Sequence, residues 1–131
     1  MLGEEYIGDK NYSADDVKGL LKRLCSLGAP VAVLTGVSPE EGRYGVMAYD
    51  SCKNEYYEYY NEHLPVSFHG TGDVFASGCF AALMSGQALP EALKTAVEFT
   101  LDSIRQTISE PDHIWYGVNF EKSIPKLLEL L

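Results

Sequence analysis

With 46% hydrophobic and 22% charged residues, a 131-residue chain has the apolar content for a cored domain and too much of it for a disordered segment. Its net charge of −9, with ten scattered Lys and Arg, excludes the clustered cationic face that a nucleic-acid backbone requires. No run of 18 apolar residues and no signal peptide is recognisable, and Cys25, Cys52 and Cys79 show neither CxxC nor Cys/His spacing, so the expectation is a cytoplasmic, single-domain protein without a membrane span or structural zinc.

In chain order, Ser13 with Asp16 predicts a capping box, with Asp in place of the usual Glu or Gln. Val17, Leu20, Leu21, Leu24 and Leu27 then form one apolar helical face, and Gly28 stops the helix. Residues 30–35 (Pro-Val-Ala-Val-Leu-Thr) predict a short strand buried on both faces. Helix followed by strand at this spacing implies a crossover onto a parallel sheet.

Residues 43–50 and 54–60 predict a hairpin around Asp50–Asn54, with Tyr56, Tyr57, Tyr59 and Tyr60 favouring strand. In so acidic a chain these tyrosines read as amphipathic edge strands rather than a stacking platform for single-stranded nucleic acid. A helix over 73–86 is apolar nearly all round and is expected to be central and buried, ending at Gly86. Pro90 suits the first turn of the next helix, whose core stripe is Leu93, Ala96, Val97, Leu101, Ile104 and Ile108. The last helix, around 124–131, is expected to use Ser123 as cap, Pro125 in its first turn, and Leu127, Leu128 and Leu131 as packing face. Cys25 and Cys79 fall in helices as packing residues, and Cys52 in a turn.

The informative motif is Gly70-Thr71-Gly72-Asp73, which opens the apolar helix. A helix's first turn carries unsatisfied N–H groups and about half a positive charge, so it attracts anions. Gly70 and Gly72 remove Cβ obstruction from a phosphate's approach and allow positive φ. Asp73 would stand where a phosphoryl group meets an incoming nucleophile, which points to phosphoryl transfer to a hydroxyl. The competing reading is a capped turn entering a core helix, since Asp is a frequent N-cap. Against it, a cap needs one small polar residue and not two glycines, and an acid in an anion site repels the anion unless it acts on it.

These residues resemble the ribokinase-like kinases of small hydroxymethyl compounds, most of all the pyridoxal/pyridoxamine (vitamin B6) kinases. Those enzymes carry Gly-Thr-Gly-Asp before a Phe-Ala-Ser/Ala-rich helix, as residues 70–83 do here. Related sugar kinases more often have Ala at the Thr71 position, and hydroxymethylpyrimidine kinases Cys at the Asp73 position. Leu2-Gly3-Glu4-Glu5-Tyr6, Val33-Leu34-Thr35-Gly36-Val37, Tyr44-Gly45-Val46 and Tyr116-Gly117-Val118-Asn119-Phe120-Glu121 match in the same order. At 131 residues the chain resembles only the C-terminal, ATP-binding half of such a kinase.

The resemblance implies the C-terminal part of a three-layer α/β sandwich, mostly parallel, with an antiparallel hairpin edge and flanking helices. It implies ATP and Mg2+ as cofactors, a small hydroxymethyl acceptor, Asp73 as general base, and Gly70, Thr71 and Gly72 as anion hole. Thr35, Gly36 and Val37 would border the nucleotide, since ligands in open α/β sheets bind beyond strand C-termini; a strand simply turning into a loop is the other reading. The half with most acceptor contacts and the magnesium-associated Asn-x-x-Glu segment would be absent, so the isolated chain is expected to be catalytically silent. An open sheet edge would invite pairing with a second copy. His69, beside the anion loop, reads as structural or solvent-exposed, and His63 and His113 have no partner at metal-ligand spacing.

Overall fold

The computed structural model describes residues 12–113 and 116–131, so the Leu2–Tyr6 match lies outside the described residues. The chain forms two compact units, Met1–His63 and Leu64–Leu131.

The first unit holds α1 (Ala14–Ser26), β1 (Val31–Val37), β2 (Arg43–Asp50) and β3 (Glu55–Glu62). The capping box forms as expected: Ser13 Oγ accepts from the Asp16 N–H at 3.2 Å, and Asp16 Oδ2 accepts from the Ser13 N–H at 3.1 Å. Gly28 follows the helix at φ +116°, a conformation that costs glycine nothing. Val17 and Leu21 pack with Ala32, Val37, Met47 and Tyr49 to form this unit's core. Leu27, at the C-cap, is exposed instead of completing the apolar face.

The sheet order is β1-β2-β3, with both pairs antiparallel. The hairpin expected over 43–60 is present, its turn held by Asp50 Oδ1, which accepts from the N–H groups of Cys52 (2.9 Å) and Lys53 (3.2 Å). The expected parallel pairing of β1 does not occur among the described residues. The link from β1 to β2 is a tight turn, far shorter than the dozen or more residues a parallel crossover needs, so the two strands pair antiparallel. The doubly buried strand is not β1, whose Val31, Thr35 and Gly36 are exposed, but β2, where Val46, Met47, Ala48 and Tyr49 are buried in succession. β2 is the central strand of the three, and a central strand is the one best covered on both faces.

The second unit contains α2 (Thr71–Met84), α3 (Leu89–Ser109), a 3-10 turn at Glu121–Ser123 and α4 (Ile124–Leu130). α2 packs against α3 where Gly78 meets Phe99 and Ala96. Val74, Phe75, Gly78, Cys79 and Ala82 are the buried face of α2. The expectation of all-round burial is not met: Phe80, Leu83 and Met84 are exposed. In α3, Leu93, Ala96, Val97 and Leu101 are buried as expected, joined by Ala92 and Phe99, while Ile108 is exposed.

α3 also buries three hydroxyls, and each has a partner, as a buried polar group must. Thr95 donates to Gln87 Oε1 (2.9 Å), Ser103 to the Phe99 carbonyl (2.8 Å) and Thr107 to the Ser103 carbonyl (2.7 Å). Ser123 does not cap α4. The chain is already helical there (φ −94°, ψ −5°), whereas an N-cap needs extended backbone, and Ser123 Oγ is buried without a hydrogen-bond partner. Leu128 and Leu131 are likewise exposed and do not form the expected packing face.

The segment after α3 is fastened back onto it through Glu110, which accepts hydrogen bonds from Lys122 Nζ and from Asn119 Nδ2 (3.0 Å). The lysine bond holds the Glu110 carboxyl below its usual range. A carboxyl lowered by folding stabilises the protein above its unfolded pKa, and that contribution is lost as pH falls through the folded value. Lys122→Met is therefore expected to flatten the loss of melting temperature between about pH 6 and pH 3. Parallel wild-type and variant slopes would show that the tether contributes nothing.

Candidate phosphate and nucleotide site

Gly70 is the N-cap residue of α2 and sits at φ +88°, ψ −4°, in the left-handed region where a side chain is strained. Its carbonyl accepts the first helical bond from the Val74 N–H at 3.0 Å. No side chain caps this helix. The amides of Thr71, Gly72 and Asp73 are thus first-turn donors without intrahelical acceptors. Thr71 Oγ1 turns back toward the Phe68 carbonyl (3.4 Å) and leaves the helix end uncovered.

Ideal Cβ atoms at Gly70 and Gly72 would meet no heavy atom within 4 Å. The space beside these two residues is open to an incoming group. Asp73 is the third residue of the helix and is exposed, so the cap position imagined for it in a simple capped turn is held by Gly70 instead. Cys79, two turns further along α2, is buried, and burial raises its thiol above the ordinary range, in keeping with a packing residue.

The second predicted cluster lies at the C-terminal end of β1. The pairing runs Thr35↔Val46 and then Val37↔Gly45, so Gly36 is the extra residue of a β-bulge, at φ +75°. Thr35 and Gly36 are exposed, while Val37 is buried in the core of the first unit. Gly70–Asp73 are thereby assembled at one helix start and Thr35–Val37 at one strand end, each within its own unit.

His69 is exposed; His63 stacks on Tyr44 (centroids 5.0 Å, 33°), and His113 meets Phe68 edge-on (5.8 Å, 81°). Among the described residues no group of three or more His, Cys, Asp or Glu could hold a metal ion, and no helix is long and apolar enough to cross a membrane. Sequence reasoning singled out Tyr44 and Gly45 only as part of the Tyr44-Gly45-Val46 match and did not place them beside the bulge. A glycine inside a strand pattern is a standing signal of close backbone approach, and it could have marked Gly45.

The phosphomethylpyrimidine kinase family profile matches residues 4–115. The chain belongs to the phosphomethylpyrimidine kinase family. No curated protein matches this family member. Among solved structures, it is 34% identical to a Bacteroides thetaiotaomicron protein assigned as a phosphomethylpyrimidine kinase, covering 90% of this chain and 41% of that one with a TM-score of 0.81. A second crystal form of that protein, with pyridoxal, gives a TM-score of 0.80. The pyridoxal kinase of Lactobacillus plantarum is 22% identical over 98% of this chain and 45% of its own, with a TM-score of 0.79. The Leishmania donovani pyridoxal kinase, in complex with ADP and pyridoxamine, is 15% identical over 88% of this chain and 41% of its own, with a TM-score of 0.77. At those last two identities the likeness is one of fold. This α/β fold is the ribokinase-like one, and the family member described here spans less than half the length of each of these proteins.

Proposed function

We propose that both units serve the ATP-binding half of a kinase that phosphorylates the 5′-hydroxymethyl group of pyridoxal, pyridoxamine or pyridoxine. The observation that carries this reading is the start of α2: a left-handed Gly70, no capping side chain, and an exposed carboxylate on the third residue. Backbone N–H donors with open space beside two glycines fit a phosphate by their chemistry. The pyridoxal in the Bacteroides relative's crystals and the ADP and pyridoxamine in the Leishmania kinase support the choice of acceptor and nucleotide.

In this reading Asp73 accepts the proton of the acceptor hydroxyl, a positioned base worth roughly 10²–10⁴ in rate. The amides of Gly70, Thr71, Gly72 and Asp73 hold the charge that develops on the transferred group. Thr35, Gly36 and Val37 border the nucleotide. Magnesium-ATP, when bound, supplies the phosphoryl group and the cation that offsets phosphate charge. The described residues provide no ligand cluster for that cation. Such an enzyme would work in the cytoplasm, where ATP is available.

A second reading is favoured by length. Because the chain spans 41–45% of these relatives, it would bind nucleotide without turning over by itself. Phosphoryl transfer needs acceptor and phosphate held in line, and positioning supplies roughly 7–11 kcal/mol of barrier reduction. A kinase for another hydroxymethyl heterocycle, such as a pyrimidine, or for a sugar would use the same helix start.

Calorimetry with ADP and an assay with magnesium-ATP and the three vitamers test these readings together. The purified chain is expected to bind ADP and to form no phosphorylated vitamer. Gly72→Ala is expected to weaken ADP binding about tenfold with melting temperature unchanged, since its Cβ would enter open space. Equal ADP affinity in the variant would reduce Gly72 to a turn residue. Sustained, Asp73-dependent product would place the acceptor site within this chain.

A further inference from the structure

The bulge at Gly36 is packed by one side chain. Tyr44 Oη lies 2.8 Å, and its Cζ 3.5 Å, from where a Cβ on Gly36 would be. The ring therefore occupies the place a side chain at 36 would need, and Tyr44 and the bulge must move together. The ring also lies against His63, with centroids 5.0 Å apart and planes inclined by 33°. Both aromatics stand on paired backbone. Tyr44 opposes Asn61 in the β2–β3 ladder, and the His63 N–H donates to the Gly42 carbonyl at 3.1 Å. The connecting turn is braced by Ser38 Oγ, which donates to the carbonyls of Arg43 (2.9 Å) and Glu40 (3.1 Å).

A tyrosine that serves only the fold buries its ring and bonds its hydroxyl. Tyr49 does this: it is 7% exposed and donates to Asn54 Oδ1 at 2.9 Å. Tyr44 does neither. It is 44% exposed, and its hydroxyl has no hydrogen-bond partner among the described residues. A half-exposed ring pair at the C-terminal end of β1 thus offers a flat apolar face beside the unpaired backbone of a bulge. The chain's net charge of −9 repels a polyanion, but the face of a nucleobase is neutral.

We propose that Tyr44, backed by His63, is the stacking wall for the base of the nucleotide. This rests on the reading of Thr35–Val37 as the nucleotide's border, and it adds the element that tells a nucleoside phosphate from a bare phosphate chain. Because both side chains stand on paired backbone and meet each other, stacking requires less ordering than two unsupported loop side chains would.

The test compares ADP with inorganic pyrophosphate by calorimetry on the whole chain. Removing an aromatic from a base stack typically costs roughly five- to a hundredfold in affinity. Tyr44→Leu is expected to weaken ADP about tenfold and leave pyrophosphate unchanged, with His63→Leu giving a smaller loss of the same selectivity. Tyr44→Phe and Tyr44→Trp keep a flat face and are expected to bind ADP within about twofold of wild type, which guards against a leucine variant that merely fails to fold. Equal losses for ADP and pyrophosphate would mean that Tyr44 only shapes the bulge, and the inference falls. It falls too if Tyr44→Trp is as weak as Tyr44→Leu, or if Tyr44→Leu binds ADP normally while Gly72→Ala does not. No ADP binding by the wild-type chain would bring down the nucleotide reading itself, and this inference with it.

Discussion

Asp73→Asn is expected to abolish turnover, lowering kcat by roughly 10²–10⁴, while ADP binding and folding stay close to wild type. The measurement belongs in a polypeptide that supplies the rest of the kinase fold, with kcat for pyridoxal and ADP affinity followed in parallel. Asn keeps the size and planarity of Asp but does not accept the hydroxyl proton at neutral pH. Little else should change, because no side chain, Asp73 included, caps this helix. Loss of a negative charge from the first turn removes only about 0.3–1 kcal/mol of favourable dipole interaction. It also lessens repulsion toward the phosphates, so nucleotide affinity should hold or rise slightly. Wild-type turnover by the Asn variant would take Asp73 out of the mechanism; a matched fall in stability would return it to a structural role.

What could be read along the chain is what local chemistry decides. The Ser13–Asp16 box, the stop at Gly28 and the hairpin turn at Asp50 each involve partners within a few residues, and each forms. The glycine-lined start of α2 was legible for the same reason: two glycines around Thr71 at a helix start leave few conformations. The misjudged features depend on distant neighbours. An apolar run such as 30–35 or 73–86 shows that a segment can be buried, not which faces are covered, and so β2 rather than β1 is the doubly buried strand. Ser123 carries the right side chain for a cap, but the 3-10 turn that ends on it removes the extended backbone a cap needs. Gly36 was legible as a glycine at a strand end. Its bulge was not, because the register shift exists only in the pairing of β1 with β2, and the Tyr44 ring that fills it comes from that other strand.

Gly45→Ala is expected to produce the largest loss of stability of any single methyl added to this chain's described glycines. An ideal Cβ at Gly45 would lie 2.0 Å from the Tyr59 carbonyl oxygen, 2.8 Å from Tyr60 Cα and 3.0 Å from the Tyr59 carbonyl carbon. All three are backbone atoms, so no rotamer change relieves the contact; β3 has to draw away from β2. Gly45 also opposes both Val37 on β1 and Tyr60 on β3, so the strain falls where the three strands meet beside the Gly36 bulge. Overpacking typically costs 1–3 kcal/mol, and each ladder hydrogen bond lost adds about 1 kcal/mol, so a loss of roughly 3 kcal/mol or more follows. That is a large part of the 5–15 kcal/mol typical of a whole domain. Denaturant unfolding of Gly45→Ala beside Gly72→Ala checks this, because the same added methyl meets backbone in one case and open space in the other. A Gly45→Ala midpoint equal to that of Gly72→Ala would mean that β3 yields without cost, and the tight three-strand crossing could then not be what holds the Gly36 bulge in place.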